Sequence, residues 1–302
     1  MSINIKKITV GVFLLVSLSV FFVLFRNQKM SVNEVKKIQI TTSIYPLQFL
    51  AETIGGNYVV VNNLTPAGAE PHDFEPATRD LVELGNKDII LFNGGGLEGY
   101  ENKVKNIINP KKTILVIIGS GIMNNRKDPH IWLDPLLYKK EAAIVARVLV
   151  QVDPSHSSIY QANLRQLEND LDVLHNRFVQ KLSNCSQNTI ITSHKAFSYL
   201  AERYKFTQVS IAGLSPDQEP SSKTLADITT FAKKNNIRYI FFEELASPAV
   251  AKTVAQEVGA ETLVLNPLEG ITRDEINKGQ TYATIQNKNL AHLQIALECT
   301  QQ

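Results

Sequence analysis

Two stretches of the chain run in parallel. From Thr41 it reads TTSIYPLQFLAETIGGNYVVVNNLTP, and from Ile191 it reads ITSHKAFSYLAERYKFTQVSIAGLSP. At a constant offset of 150, Thr42, Ser43, Leu50, Ala51, Glu52, Leu64 and Pro66 meet Thr192, Ser193, Leu200, Ala201, Glu202, Leu214 and Pro216. The match resumes where KDIILFN (Lys87 to Asn93) faces IRYIFFE (Ile237 to Glu243). A long internal repeat dictates architecture before any motif does, because similar apolar patterns bury similar faces. Two lobes of like topology are therefore expected, and 302 residues with 44% hydrophobic content suffice for them.

Within each copy, short β-rich runs alternate with helical patterns. IQITTSI, YVVVNNL, DIILFNG and TILVII mark the first lobe; NTIITS, FTQVSI, IRYIFFE and AETLVLN mark the second. Such alternation predicts an α/β fold, each lobe a mainly parallel sheet covered by helices on both faces. Between the copies, Ser155 to Leu182 contains neither proline nor glycine, and Ile159, Leu164, Leu167, Leu171, Leu174 and Phe178 recur at helical spacing. A single stiff helix bridging the lobes follows. The expected organisation is residues 1–36 as an N-terminal anchor and tether, 37–154 as the first lobe, 155–183 as the linker helix and 184–302 as the second lobe.

Ile8 to Phe25 is an uncharged run of 18 residues, just long enough to span a membrane. No clear small-x-small cleavage site follows it, so a signal-anchor is expected in preference to a cleaved signal peptide; either exports the rest of the chain. The net charge of +2, with no basic run longer than a pair, offers no footprint for nucleic acid. Only Cys185 and Cys299 are present. Under the oxidising conditions outside the cytoplasm they can form one disulfide, and two cysteines cannot build a four-thiolate metal site.

Three of the six histidines fall where loops leave predicted strands, the place where open α/β sheets collect ligands. His72 lies between prolines in AEPHDFEP, His130 in DPHIWLDP, and His194 directly after NTIITS. Their imidazole nitrogens suit zinc, which favours four ligands in a tetrahedron. Glu269, in LVLNPLEG, is the candidate fourth donor; Asn266 is a weaker one because a neutral amide cannot offset the cation's charge. Glu70 and Asp128 could orient imidazoles from behind. His156 and His175 in the linker helix, and His292 near the C-terminus, read as solvated or core residues, and Trp132 as a packing anchor beside the site. No G-x-S-x-G or phosphate-loop motif is present, and Gly94 to Gly96 read as a turn.

From about Lys37 onward the chain resembles the metal-binding receptors of bacterial ABC importers for zinc and manganese, the zinc-uptake A-type solute-binding proteins. The resemblance is carried by TTSIYPLQFLAETIGG, PAGAEPHDFEPATRD, DPHIWLDP, TSHKAFSYLAERY, EPSSKTLADI, IRYIFFEE and LNPLEG. It implies two α/β lobes on one rigid helix, a single metal between them held by His72, His130 and His194, and delivery to a membrane permease by a monomeric, non-enzymatic receptor. Manganese-type members usually carry a carboxylate where this chain has His194, which favours zinc over manganese. Many members have Asp in place of Asn266, so Glu269, Asn266 and water remain open as the fourth ligand. The histidine-rich loop and the lipobox of some relatives are missing, and a membrane anchor could replace the latter. A zinc-dependent hydrolase is the rival reading, since three protein ligands plus water is a catalytic pattern; a structural or adhesive surface protein is a third.

Overall fold

A computed structural model of the chain describes residues 36–300. The expected anchor at Ile8 to Phe25 lies outside the described residues. Among the described residues no helix is long and apolar enough to cross a membrane.

The repeat seen in the sequence becomes two four-stranded sheets of identical topology. The first consists of β1 (Ile38–Thr42), β2 (Val59–Asn63), β3 (Ile89–Phe92) and β4 (Ile114–Ile117), in the order β2-β1-β3-β4. The second consists of β5 (Thr189–Thr192), β6 (Thr207–Ser210), β7 (Tyr239–Phe242) and β8 (Glu261–Val264), in the order β6-β5-β7-β8. Every strand pair is parallel. The inner strands explain the near-continuous apolar runs: β3 is IILF with all four residues buried, as a strand covered on both faces requires. All strand C-terminal ends of one sheet point the same way, so the loops that leave them gather at one rim.

The helices are α1 (Tyr45–Gly55), α2 (Thr78–Leu84), α3 (Glu101–Ile107), α4 (Pro135–Val152), α5 (Ser157–Lys181), α6 (Ser198–Tyr204), α7 (Ser222–Lys234), α8 (Ala249–Val258), α9 (Arg273–Asn277) and α10 (Tyr282–Ala296). The linker helix expected over Ser155 to Leu182 is α5, shorter by two residues at its start. Pro154 opens a separate 3₁₀ turn there, and Asp153 holds the turn by accepting from His156 Nδ1 at 2.5 Å and from the Tyr160 hydroxyl at 2.8 Å. At 25 residues α5 is about 37 Å long. Its buried stripe, Tyr160, Leu167, Leu171, Leu174 and Phe178, packs on α4, α1 and α10.

The largest apolar core is continuous across both halves, running from Ile38 through Trp132, Leu149 and Phe178 to Leu265 and Leu297. Two smaller clusters line the outer sheet faces, one around Leu84, Ile90 and Phe92 and one around Ile191, Ile228 and Ile240. Helix α10 ties the second half onto the first: Tyr282 stacks on Tyr138 at 4.1 Å and donates its hydroxyl to Trp132 O at 2.6 Å, while Gln286 Nε2 reaches Leu133 O at 3.2 Å. Arg203 makes a further tie by donating from Nε to Asp134 Oδ2 at 2.9 Å. Asp134 simultaneously caps α4, accepting from Leu136 N at 2.9 Å ahead of Pro135, a residue that favours a first helical position. Cys185 and Cys299 are joined by a disulfide that pins the chain after α5 to the end of α10.

Candidate metal centre

Four loops from four different strands deliver His72 after β2, His130 after β4, His194 after β5 and Glu269 after β8. One donor atom of each lies within 4.8 Å of every other. His130 Nε2 is 3.3 Å from both His72 Nε2 and His194 Nε2. Glu269 Oε1 stands 3.4 Å from His72 Nε2, 3.2 Å from His194 Nε2 and 2.7 Å from His130 Nε2. His130, His194 and Glu269 are fully buried, whereas the His72 side chain is 9% exposed and forms the side open to solvent.

Two of the three rings are aimed by carboxylates behind them. His130 Nδ1 pairs with Asp128 Oδ1 at 2.7 Å, and the same oxygen accepts the His130 backbone N–H at 3.1 Å. Asn93 Nδ2 fixes the intervening Pro129 by donating to its carbonyl at 2.9 Å. His194 Nδ1 pairs with Glu243 Oε1 at 2.6 Å, and Ser193 donates to the same carboxylate. With carboxylates accepting at both Nδ1 positions, the Nδ1 atoms carry hydrogens and the Nε2 lone pairs converge on one point. Glu70 behaves differently from the expectation for it. It accepts the His72 backbone N–H at 3.2 Å, and so shapes the loop between prolines without orienting the ring.

The electrostatics match a site built around positive charge. Burial opposes charging His130, but Asp128 and Glu269 on its two nitrogens raise its pKa above the ordinary histidine value. Burial likewise opposes charge on His194, and Glu243 and Glu269 outweigh it, raising that pKa well above the usual range. Burial would also neutralise Glu269, yet His194, His130 and His72 hold its carboxyl well below the carboxylate range. Glu70 goes the other way: burial, then the neighbouring Glu269, push it up to about 9. It therefore stands as a neutral acid near pH 7 and adds no charge to the cluster.

Glu269 sits at the end of a tightly held turn. Trp132 Nε1 donates to Pro267 O at 2.7 Å, so the expected packing anchor is also a hydrogen-bonding clamp. Leu268 adopts φ +59°, a left-handed conformation that costs an L side chain of its type on the order of 1 kcal/mol. Asn266 points away from the cluster. Its Oδ1 accepts Leu268 N at 2.7 Å, and its Nδ2 donates to Glu244 Oε2 and Glu275 Oε1, each at 3.1 Å. The other histidines are elsewhere: His156 stacks on Tyr58 at 3.9 Å, His175 Nδ1 meets the Tyr204 hydroxyl at 3.1 Å, and His292 Nδ1 donates to Val264 O at 2.6 Å. The sequence reading missed Glu243. The signal was available, because Glu243 stands 150 residues after Asn93, and both occupy the position after the third strand of their sheet.

Two parallel α/β lobes on a rigid helix, with a convergent donor set between them, define the class of solute-binding receptor. Residues 40–296 match the family described as zinc-uptake complex component A, periplasmic, and the chain belongs to that family. It is 34% identical over 280 residues to the high-affinity zinc uptake system protein ZnuA of Bacillus subtilis (strain 168), covering 86% of this chain and 88% of that protein. It is 33% identical over 309 residues to the zinc-binding lipoprotein AdcA of Streptococcus pneumoniae serotype 4, covering 95% of this chain but only 60% of that protein. The crystal structure of the Zn(II)-bound ZnuA-like domain of Streptococcus pneumoniae AdcA superimposes with a TM-score of 0.77 at 33% identity, covering 87% of this chain and 99% of that domain. The family is one of solute-binding transport proteins, not of enzymes.

Proposed function

We propose that the chain captures a single Zn²⁺ ion with His72, His130, His194 and Glu269 outside the cytoplasm and hands it to an ABC permease. The observation that carries this reading is the spacing of the donors. Zinc–nitrogen bonds of 2.0–2.1 Å in a tetrahedron require donor–donor edges of about 3.3–3.4 Å. Four of the five separations given above, 3.2 to 3.4 Å, agree with that length. The fifth, 2.7 Å between His130 and Glu269, is a hydrogen-bond length that zinc would widen by about 0.6 Å. Three neutral imidazoles and one carboxylate leave the bound ion with formal charge +1, which the two carboxylates behind the rings, Asp128 and Glu243, more than offset.

Zinc is favoured over manganese because three nitrogens and one oxygen suit the former, whereas manganese prefers oxygen donors and higher coordination. A hydrolase is disfavoured because four protein donors fill the tetrahedron and leave no position for an activated water. Binding must displace any proton held on the Nε2 atoms that face Glu269, while the Nδ1 hydrogens paired with Asp128 and Glu243 stay in place, so uptake is accompanied by proton release. The core shared by the two lobes favours release by movement of the ligand loops over a wide hinge. The receptor is taken as a monomer tethered by residues 8–25.

Competition for zinc against a chromophoric chelator tests the assignment. One zinc per chain is expected, with His72→Ala, His130→Ala, His194→Ala and Glu269→Ala each weakening binding by at least about 100-fold, since each removes part of a binding term on the order of 10 kcal/mol. His175→Ala should leave affinity unchanged. Tighter binding of manganese than zinc would reject the choice of metal, and wild-type affinity in any two of the ligand variants would reject the site.

A further inference from the structure

Asn266 is the residue at which the sequence left the fourth ligand open, and its side chain is fully engaged away from the donors. Its backbone is clamped in both directions by one side chain: Asn266 N donates to Asn289 Oδ1 at 2.9 Å, and Asn289 Nδ2 donates to Asn266 O at 2.7 Å. Its own Oδ1 reaches two residues ahead to Leu268 N at 2.7 Å, closing a turn in which Leu268 takes φ +59°. Leu268 is fully buried, and the next residue is Glu269. The left-handed Leu268 reverses the chain so that Glu269 enters the cluster, and the Asn266 carbonyl oxygen is the side-chain acceptor that closes this turn.

The other end of the amide decides why this residue is not a carboxylate. Nδ2 lies 3.1 Å from Glu244 Oε2 and 3.1 Å from Glu275 Oε1, two acceptors from two different segments. Glu275 is itself committed, since its second oxygen accepts Thr272 N at 2.8 Å and Thr272 Oγ1 at 2.9 Å in the capping box of α9. An aspartate here could still accept Leu268 N, but its second oxygen would face these two carboxylates with no hydrogen between them. We infer that Asn266 is a positioning residue for Glu269, and that Glu244 and Glu275 select an amide at 266, which keeps this side chain off the metal and the coordination at three nitrogens and one oxygen. This rests on the zinc reading above.

The test uses the whole protein with zinc, manganese and cobalt(II) as probes, in wild type, Glu269→Ala, Asn266→Ala, Asn266→Asp, and Asn266→Asp combined with Glu244→Gln and Glu275→Gln. Cobalt(II) reports geometry, because tetrahedral complexes absorb visible light far more strongly than six-coordinate ones. Asn266→Ala and Asn266→Asp are expected to lower zinc affinity about 10- to 100-fold, the usual effect of removing support behind a ligand. The cobalt absorption should weaken in both. The triple variant, in which the glutamine amides can donate to the new carboxylate, should recover most of the affinity and the spectrum. Should Asn266→Ala not fold, Asn266→Asp and its rescue still decide.

Wild-type zinc affinity and cobalt spectrum in Asn266→Asp would overturn the proposal, and so would a loss that the triple variant fails to restore. Asn266→Asp that binds manganese more tightly than wild type, without the glutamine substitutions, would put residue 266 on the metal and also overturn it. If wild type itself binds no zinc, or Glu269→Ala is indifferent, the zinc reading is what fails.

Discussion

His194 and Ile44 occupy equivalent places in the two lobes, each one residue beyond a serine that directly follows the first strand of its lobe. Both serines donate to a buried glutamate, Ser43 to Glu98 at 2.6 Å and Ser193 to Glu243. In the first lobe Glu98 spends its remaining capacity on Asn93 N and Gly94 N, at 2.7 and 2.9 Å, and Ile44 packs into the core. In the second lobe the glutamate directly follows β7 and takes the His194 ring instead. The same local design thus serves packing in one copy and holds a histidine of the donor cluster in the other.

Glu243→Ala should therefore lower zinc affinity about 10- to 100-fold by freeing the His194 ring, while Glu243→Gln, whose carbonyl still accepts from Nδ1, should lose less. Chelator competition on both variants checks the order. Equal losses would mean that charge, not orientation, is what Glu243 supplies.

His194→Asp should shift preference toward manganese. It replaces a nitrogen by carboxylate oxygen, and the ratio of zinc to manganese affinity should fall by at least about tenfold. Titration of each metal against the same indicator measures the ratio; an unchanged ratio would show that selectivity is set elsewhere.

The Cys185–Cys299 bond closes a loop across 114 residues of sequence. Loop closure of that size restricts the unfolded chain by on the order of 4–5 kcal/mol. Replacing both cysteines by serine should lower the unfolding free energy by a few kcal/mol, as read by urea denaturation. Zinc affinity should not change, because neither cysteine belongs to the donor cluster.

Asp153, at the junction of α4 and α5, supplies a pH signature in stability. Burial would raise its pKa, but hydrogen bonds from Ser155, His156 and Tyr160 and the charge of His156 outweigh that, lowering it from 3.8 to about 2. A folded-state pKa below the unfolded one stabilises the fold above about pH 4, and the contribution disappears as pH falls through about 2. At a partly exposed site the effect amounts to no more than about 1 kcal/mol. Asp153→Ala should therefore be less stable than wild type at pH 7, and the gap should close in unfolding experiments as pH drops from about 4 toward 2. A gap that persists at pH 2 would assign the effect to packing.

Much of this protein is legible in one dimension. The 150-residue repeat implied two like sheets because apolar period and strand spacing are local properties, and β1 with β5 and β3 with β7 fall on it. His72, His130, His194 and Glu269 could be singled out because parallel sheets send their ligand loops to one rim. The proline-fenced His72 needed a loop for the same reason that any residue before proline avoids helix.

What the sequence could not decide depends on which distant groups share one small volume. Asp128 lies two residues from the ring it orients, yet Glu243 is 49 residues from His194, and only the pairing of β5 with β7 brings the two together. Asn266 and Glu269 are three residues apart and looked like competitors; the left-handed Leu268 and the carboxylates of Glu244 and Glu275 turn one away from the cluster and the other into it. Chain patterning determined the sheets, the bridging helix and the donor candidates, because these follow from periodicity and from where strands end. Tertiary packing decided which donors meet and which side chains aim them, because hydrogen bonding and burial depend on distance in space, not on separation along the chain.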